Sequence, residues 1–134
     1  MQSIAASPAT SRIHLTCLRT DAPHVLAACD VCILPALKRE GLPKAVIEGM
    51  VHGVTPIVTD SGGSPELIEQ GKSGLIIPPG SSRAIAEAIS QLYADRDRCA
   101  RMGEEARQRI QRDFHTSKTV EQTLSVYQEL LTKE

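Results

Sequence analysis

Two carboxylates, a lysine and a glycine are grouped in the stretch Glu40-Gly-Leu-Pro-Lys-Ala-Val-Ile-Glu48. An ionised carboxylate only accepts hydrogen bonds, and its two oxygens suit the vicinal diol of a sugar or a ribose. Glu40 and Glu48 are eight residues apart. With Glu40 in a loop and Glu48 on a helix, each can flank a different part of one extended ligand. Pro43 is placed to open that helix, because the first helical turn has no use for the missing N–H. The helix start then offers unpaired backbone N–H groups and a partial positive charge, both suited to a phosphate. Gly41 lets the backbone come close. Lys44, in the first turn, is a point charge within reach of the same anion. Two polyol sites around a phosphate site describe a nucleotide-sugar. Stripped of their surroundings, Glu40 and Glu48 are better read as solvated carboxylates beside a surface helix.

A strand, a turn and a helix must hold these residues. Asp30-Val-Cys-Ile-Leu-Pro-Ala36 has the apolar run of a buried strand, stopped by Pro35. The polar turn Lys38-Arg-Glu-Gly41 follows. The helix from Pro43 sends Ala45, Val46, Ile47, Met50 and Val51 toward a core and ends at Gly53, a residue suited to the C′ position. Val54-Thr-Pro-Ile-Val-Thr59 reads as a second buried strand. Strand, crossover helix and strand form a βαβ unit, so a parallel sheet follows. Ligands of such sheets bind at the carboxyl ends of the strands, where Glu40 and Gly41 fall. The next loop, Thr59-Asp-Ser-Gly-Gly-Ser64, falls there too. Its Gly62 and Gly63 either admit a sugar or phosphate close to the backbone or only make the turn, and residue chemistry leaves both open. Ser64 as N-cap and Pro65 at the first helical position predict a short helix through Gln70.

Upstream, Ile13-His-Leu-Thr-Cys-Leu18 alternates and predicts a strand, and Asp21 is placed to cap a helix over residues 22–29. Residues 1–12 are small and polar and are expected to be poorly ordered, leaving one domain over 13–134. Downstream, Gly71-Lys-Ser-Gly74 makes a turn and Leu75-Ile-Ile77 a short strand, stopped by Pro78-Pro79. The Gly-Lys-Ser triplet is not a P-loop: it lacks the leading glycine and precedes a strand. Three helices close the chain. The first, over 82–94, carries Ile85, Ala88, Ile89 and Leu92 on one face. The second, over 96–113, carries Cys99, Met102, Ala106 and Ile110. The third, over 117–131, carries Val120, Leu124, Tyr127 and Leu131.

Composition narrows the function classes. A chain of 134 residues builds one modest core. Its net charge is −1, which favours neither nucleic acid nor an acidic membrane. One Phe, two Tyr and no Trp argue against a base-stacking platform. No apolar run approaches the ~20 residues needed to span a bilayer, and the N-terminus has no signal-peptide pattern. Cys29 and Cys32 form a C-x-x-C at a helix end that runs into a strand, the opposite of the redox arrangement. Cys17 and Cys99 lack the spacing of a second metal pair. All four are therefore expected to be buried, reduced thiols of a cytosolic protein. The histidines, at 14, 24, 52 and 115, show no triad or metal spacing, and His52 reads as a helix-end residue.

Glu40-Gly-Leu-Pro followed by Glu48 resembles the Glu-x7-Glu signature of retaining GT-B-fold glycosyltransferases of family 4, the glycosyl transferases group 1 domain. Around it, His24-Val-Leu-Ala-Ala-Cys-Asp30 with Val31-Cys-Ile-Leu-Pro35, Gly49-Met-Val-His-Gly53, Val54-Thr-Pro-Ile-Val58, Gly62-Gly-x-x-Glu66 and Gly74-Leu-Ile-Ile-Pro78 stand in the family's order. The resemblance covers about residues 13–131. It implies an α/β, Rossmann-like parallel sheet of about four strands, an incomplete GT-B C-terminal domain, with three C-terminal helices. It implies transfer of a hexose from a UDP- or GDP-sugar to an acceptor hydroxyl with retention, in polysaccharide assembly. By the same resemblance Glu40 is catalytic and holds sugar hydroxyls, and Glu48 holds the ribose diol. Gly41, Leu42, Pro43, Lys44, Gly62 and Gly63 complete the donor site. No metal or other cofactor is implied, because a helix N-terminus and cationic side chains can stabilise the leaving diphosphate. The setting is cytoplasmic or peripheral to the inner face of the membrane.

The resemblance begins in the middle of a domain. The family's first strand and Gly-rich turn, its diphosphate-binding Arg and Lys, and its acceptor-binding N-terminal domain do not precede Ile13. An open sheet edge is therefore expected, covered by the missing N-terminal domain, a partner chain or a second copy. A different class of function fits the same gap: a non-catalytic nucleotide-sugar-binding or assembly module, inactive without an N-terminal domain. The family's aromatic Phe-Ser-Trp-like turn is here Phe114-His115-Thr116, a change in packing more than in chemistry.

Overall fold

The computed structural model describes residues 7–132. Three strands, β1 (Val31–Leu34), β2 (Thr55–Thr59) and β3 (Leu75–Ile77), form a parallel sheet in the order β1-β2-β3. Helix α1 (Ala22–Ala27) precedes β1, α2 (Lys44–Val51) crosses from β1 to β2, and α3 (Ser64–Leu67) from β2 to β3. Helices α4 (Ser82–Ala94), α5 (Arg96–Asp113) and α6 (Thr116–Leu131) follow. In register, Ile33 lies beside Ile57 and Ile57 beside Leu75. Every residue of β2 is buried, as a central parallel strand covered on both faces requires. Pro56 is tolerated there because β3 pairs only from Ile57 onward.

Strand alternation divides the core into two clusters. On one face Val58, with Leu34 and Ile76, meets Val46 and Met50 of α2, Leu67 of α3 and Ala106 and Ile110 of α5. On the other, Ile57, Leu75 and Ile77, with Val31 and Ile33, meet Ala88 and Leu92 of α4 and Cys99 and Met102 of α5. Helix α5 thus serves both faces, its first half one and its second half the other. It can do so because it passes close to the amino ends of the strands. At Gly103 a Cβ would run into the Gly53 carbonyl and stand 3.2 Å from Thr55 Oγ1. Thr55 donates its hydroxyl to the Cys99 carbonyl at 2.6 Å.

The termini of α2 follow from local chemistry. Pro43 is its N-cap residue and His52 its C-cap. Gly53 takes φ +75°. The Gly53 N–H reaches the Met50 carbonyl and the Val54 N–H the Gly49 carbonyl, both at 3.0 Å. That is the paired closure of a Schellman motif. Helices α4 and α5 are each capped by a side chain: Ser81 accepts from the Ala84 N–H and Asp95 from the Arg98 N–H. At the outer edge of β3, Gln70 accepts from the Ile76 N–H at 2.6 Å, so a side-chain amide stands in for part of a missing strand.

Several expectations need correction. Ile13–Leu18 is not a strand but an exposed segment, and the sheet has three strands rather than about four. No strand lies beside that segment among the described residues, so its exposed backbone is left to water. Helix α1 stops at Ala27, and Asp21 turns its carboxylate to Arg19, 2.6 Å away, instead of capping. Ala45 and Val51 are exposed, since α2 turns only the Val46–Met50 side inward. Helix α3 has Gly63 as its N-cap, takes Ser64 into its first turn and ends at Leu67, short of Gln70. Cys17 and Cys29 are exposed thiols, whereas Cys99 is buried. Burial raises the Cys32 thiol above its usual range, against a reactive pair. Residues 1–6 of the segment expected to be loose lie outside the described residues, and Thr10–Arg12 forms one 3-10 turn. Helix α6 begins at Thr116, with the His115 ring capping the Ser117 N–H. Its Val120, Leu124, Tyr127 and Leu131 are all exposed.

Replacing a helical glycine by alanine normally favours the helix by up to about 1 kcal/mol. At Gly103 the sign reverses, because the added methyl meets the Gly53 backbone. Gly103→Ala is expected to lower stability by about 1–3 kcal/mol, read as a drop in the urea unfolding midpoint at unchanged slope.

Candidate functional site

Glu40, Gly41 and Leu42 lie in the loop between β1 and α2, at the carboxyl end of the sheet. Gly62 and Gly63 lie in the loop after β2, at the same end. The two loops meet backbone to backbone. The Gly63 N–H donates to the Glu40 carbonyl at 3.0 Å. A Cβ on Gly62 would stand 2.7 Å from the Glu40 nitrogen, and one on Gly63 3.0 Å from the Gly41 carbonyl oxygen. Gly62 also adopts φ +60°, which side-chain-bearing residues rarely hold. The sequence left two uses open for this pair, the approach of a ligand or a plain turn. The structure has a third element: the glycines admit the neighbouring loop.

That contact locks the Glu40 backbone and leaves its side chain exposed. Gly41 has open space where a Cβ would stand. Pro43 is buried and anchors the start of α2. The first bonds back to its carbonyl come from the Val46 and Ile47 N–H groups, at 3.1 and 3.2 Å. The N–H groups of Lys44 and Ala45 therefore lie ahead of the ladder, and no side chain caps this end. Lys44 is 89% exposed, and its ammonium stands 3.8 Å from Glu48 Oε1. Such a pair is weak and leaves Lys44 free to turn toward an anion. Glu48 is about one-third exposed and sits one helical turn beyond Lys44. Glu40, Gly41, Leu42, Lys44 and Glu48 therefore share one edge of the molecule, with Gly62 and Gly63 packed behind the loop.

Two supports of this edge were not visible in the sequence. Thr59, at the end of β2, is buried and donates its hydroxyl to the Ala36 carbonyl at 2.8 Å. It ties the exit of β1 to β2 ahead of the Glu40 loop. Arg109 reaches from α5 to the carbonyls that end α3. Ser64 Oγ, in the first turn of α3, is buried without a hydrogen-bond partner. An alternating strand pattern flags Thr59 only as an inward polar residue, and Arg109 looks like one of many charges on an exposed helix face.

Most of the charges in the second half of α5 are paired. Arg107 holds the Glu104 carboxyl down to about 2. Lys72, followed by Arg109, holds Glu69 below the usual carboxylate range, and Arg112 does the same for Asp113. Lowered carboxyls contribute stability above their unfolded pKa values, about 4, and lose it as pH falls through their folded values. A cavity of about 470 Å³ lies at the opposite, amino end of the strands, lined by Asp30, His52, Gly53, Arg96, Cys99 and Arg107 among others. Its charges are already engaged, Arg96 with Asp30 at 2.6 Å and Arg107 with Glu104 at 2.7 Å. The helix N-terminus beside it, that of α5, is already capped by the Asp95 carboxylate. The carboxyl-end loops are the better candidate on chemistry despite their openness.

The two glycine environments give opposite expectations. Gly62→Ala combines a strained φ with a backbone clash and is expected to cost about 2 kcal/mol or more. Gly41→Ala meets nothing and is expected to stay within about 0.5 kcal/mol of the parent. Urea unfolding of both variants checks this, and equal losses would contradict the loop contact.

The chain is similar to known proteins over most of its length. The family model described as glycosyl transferases group 1 matches residues 9–109. The putative glycosyltransferase EpsD of Bacillus subtilis is 36% identical over 108 residues, covering 81% of this chain and 28% of the relative. A GDP-mannose-dependent alpha-(1-6)-phosphatidylinositol monomannoside mannosyltransferase of Mycobacterium tuberculosis is 37% identical over 93 residues, covering 65% of this chain and 24% of the relative. Among solved structures, Anabaena HepE in complex with UDP-glucose superposes with a TM-score of 0.83 at 26% identity, covering 93% of this chain and 35% of that one. The chain thus spans about a quarter to a third of the proteins it matches. With the match running through β1, α2, β2 and the loops that join them, the chain belongs to the glycosyl transferases group 1 family.

Proposed function

We propose that this chain is the donor-binding part of a retaining glycosyltransferase that moves a hexose from a nucleoside diphosphate sugar to an acceptor hydroxyl. The observation that carries this reading is the shared carboxyl edge. There an exposed Glu40, on a loop clamped backbone to backbone to Gly63, precedes the uncapped N-terminus of α2, and Glu48 follows Lys44 by one helical turn. In this reading Glu40 accepts hydrogen bonds from the hydroxyls of the transferred sugar, and Glu48 from the ribose diol. The Gly41 and Leu42 backbone faces the sugar or the diphosphate. The N–H groups of Lys44 and Ala45 and the Lys44 ammonium meet the negative charge that develops on the leaving diphosphate. These groups supply positive charge without a metal ion. Pro43 sets the angle at which the helix meets the ligand.

A second reading has its own support. The site is one open wall, the sheet edge at β1 has no partner strand among the described residues, and the chain covers 28% of the EpsD relative. Alone, the polypeptide then acts as a nucleotide-sugar-binding module and turns over nothing until an N-terminal domain, a partner chain or a second copy covers that edge.

An amide NMR titration with UDP-glucose, GDP-mannose, UDP and GDP tests the site. Saturable shifts at Gly41, Lys44 and Ala45 are expected. Glu48→Gln is expected to weaken binding of the responding nucleotide by roughly 10-fold, the loss of a charged hydrogen bond, with no fall in the unfolding midpoint. Nucleotide binding unchanged by Glu48→Gln would remove Glu48 from the ribose. A folded spectrum without shifts for any of the four compounds would count against donor binding by this chain alone, in either reading.

A further inference from the structure

We infer that Arg109 of α5 is the positioning residue of the two site loops, although it lies over forty residues from either in sequence. Its side chain is 19% exposed, and its guanidinium divides its donors among fixed acceptors. Nε donates to the Leu67 carbonyl at 2.8 Å and Nη2 to the Glu66 carbonyl at 2.9 Å. Nη1 donates to Glu69 Oε1 at 2.6 Å and, more weakly, to Asp113 Oδ2 at 3.4 Å. The Phe114 ring lies 5.8 Å from its central carbon, at the distance of a cation–π contact. A planar fork with five N–H groups fits this set, and an ammonium does not.

From Arg109 a mechanical chain leads to the site in two residues. The Glu66 carbonyl takes the guanidinium bond, and the Glu66 N–H donates to the Gly63 carbonyl at 3.1 Å. The Gly63 N–H donates to the Glu40 carbonyl at 3.0 Å. Helix α3 has only four residues, too few to be stable alone. Its free carbonyls are satisfied by Arg109, and its start carries the loop that clamps Glu40. Arg109 touches no ligand in this arrangement and acts through α3. Its importance to a donor site rests on the function proposed above; its hold on the loops does not.

Amide hydrogen exchange on the full chain separates a local hold from general stability. In Arg109→Ala the Gly63 N–H is expected to exchange about 10-fold faster, one hydrogen bond's worth of local opening, while Ile57 and Val58 of β2 keep their protection. Arg109→Lys keeps a charge for Glu69 but loses the fork. It is expected to fall between parent and Arg109→Ala, and it serves as the probe if the alanine variant does not fold. Gly63 exchange unchanged in the variant, or rising in step with Ile57 and Val58, would overturn the inference. UDP-glucose titration of the same samples keeps the two ideas apart. A parent chain that fails to bind counts against the donor reading, while the exchange ratio still decides the role of Arg109.

Discussion

The backbone contact between the Glu40–Gly41 loop and Gly62–Gly63 is the constraint on which the site depends. Two loops at the carboxyl ends of neighbouring parallel strands have nothing regular to hold them. Here one hydrogen bond, Gly63 N–H to the Glu40 carbonyl, joins them. The absence of a Cβ on two successive residues lets them lie in contact. The carboxylate of Glu40 then projects from a fixed backbone, and fixed groups lose little conformational entropy when a ligand arrives. In this chain Gly62 and Gly63 thus serve the scaffold of the acidic loop.

Helix α5 holds the assembly from the far side. Its glycine, Gly103, brings it against Gly53 at the end of α2. Cys99 receives the Thr55 hydroxyl from β2. Ala106 and Ile110 enter the same cluster as Val46 and Met50, and Arg109 closes α3. Each crossover of the sheet is therefore braced by a different turn of one helix. The turn Phe114-His115-Thr116 joins α5 to α6. Phe114 packs on the core and lies near Arg109, and His115 caps α6.

Beyond that compact unit the described residues include exposed apolar surface. Ile13, Leu15 and Leu18 precede α1, and Val120, Leu124, Tyr127 and Leu131 line α6. Both segments carry strand or helix patterns whose apolar sides stay exposed among the described residues. The matched region is 28% and 24% of the length of two of the relatives. Pattern without a partner explains why Ile13–Leu18 stays out of the sheet: a strand is made by its neighbour, whereas α6 can satisfy its own backbone.

The sequence by itself determined what is local. Periodicity set α4 and α5, whose bounds, Ser82–Ala94 and Arg96–Asp113, match the expected ranges. Proline and glycine set the ends of α2, and the apolar runs set all three strands of the sheet. The order Glu40, Lys44, Glu48 on a loop and one helix was legible too, because a loop before a crossover helix in a parallel sheet must lie at the carboxyl edge. What only the tertiary structure decided is what depends on pairs distant in the chain. These are the loop-to-loop contact of Gly62 with Glu40, the Thr59 tie to Ala36, and the reach of Arg109 to α3. It also decided that Ser64 enters a helix instead of capping it, and that Ala45 and Val51 face solvent. A residue's type states which bonds it can make. Which acceptor stands 3 Å away is decided by packing across the sheet, and no spacing along the chain encodes it.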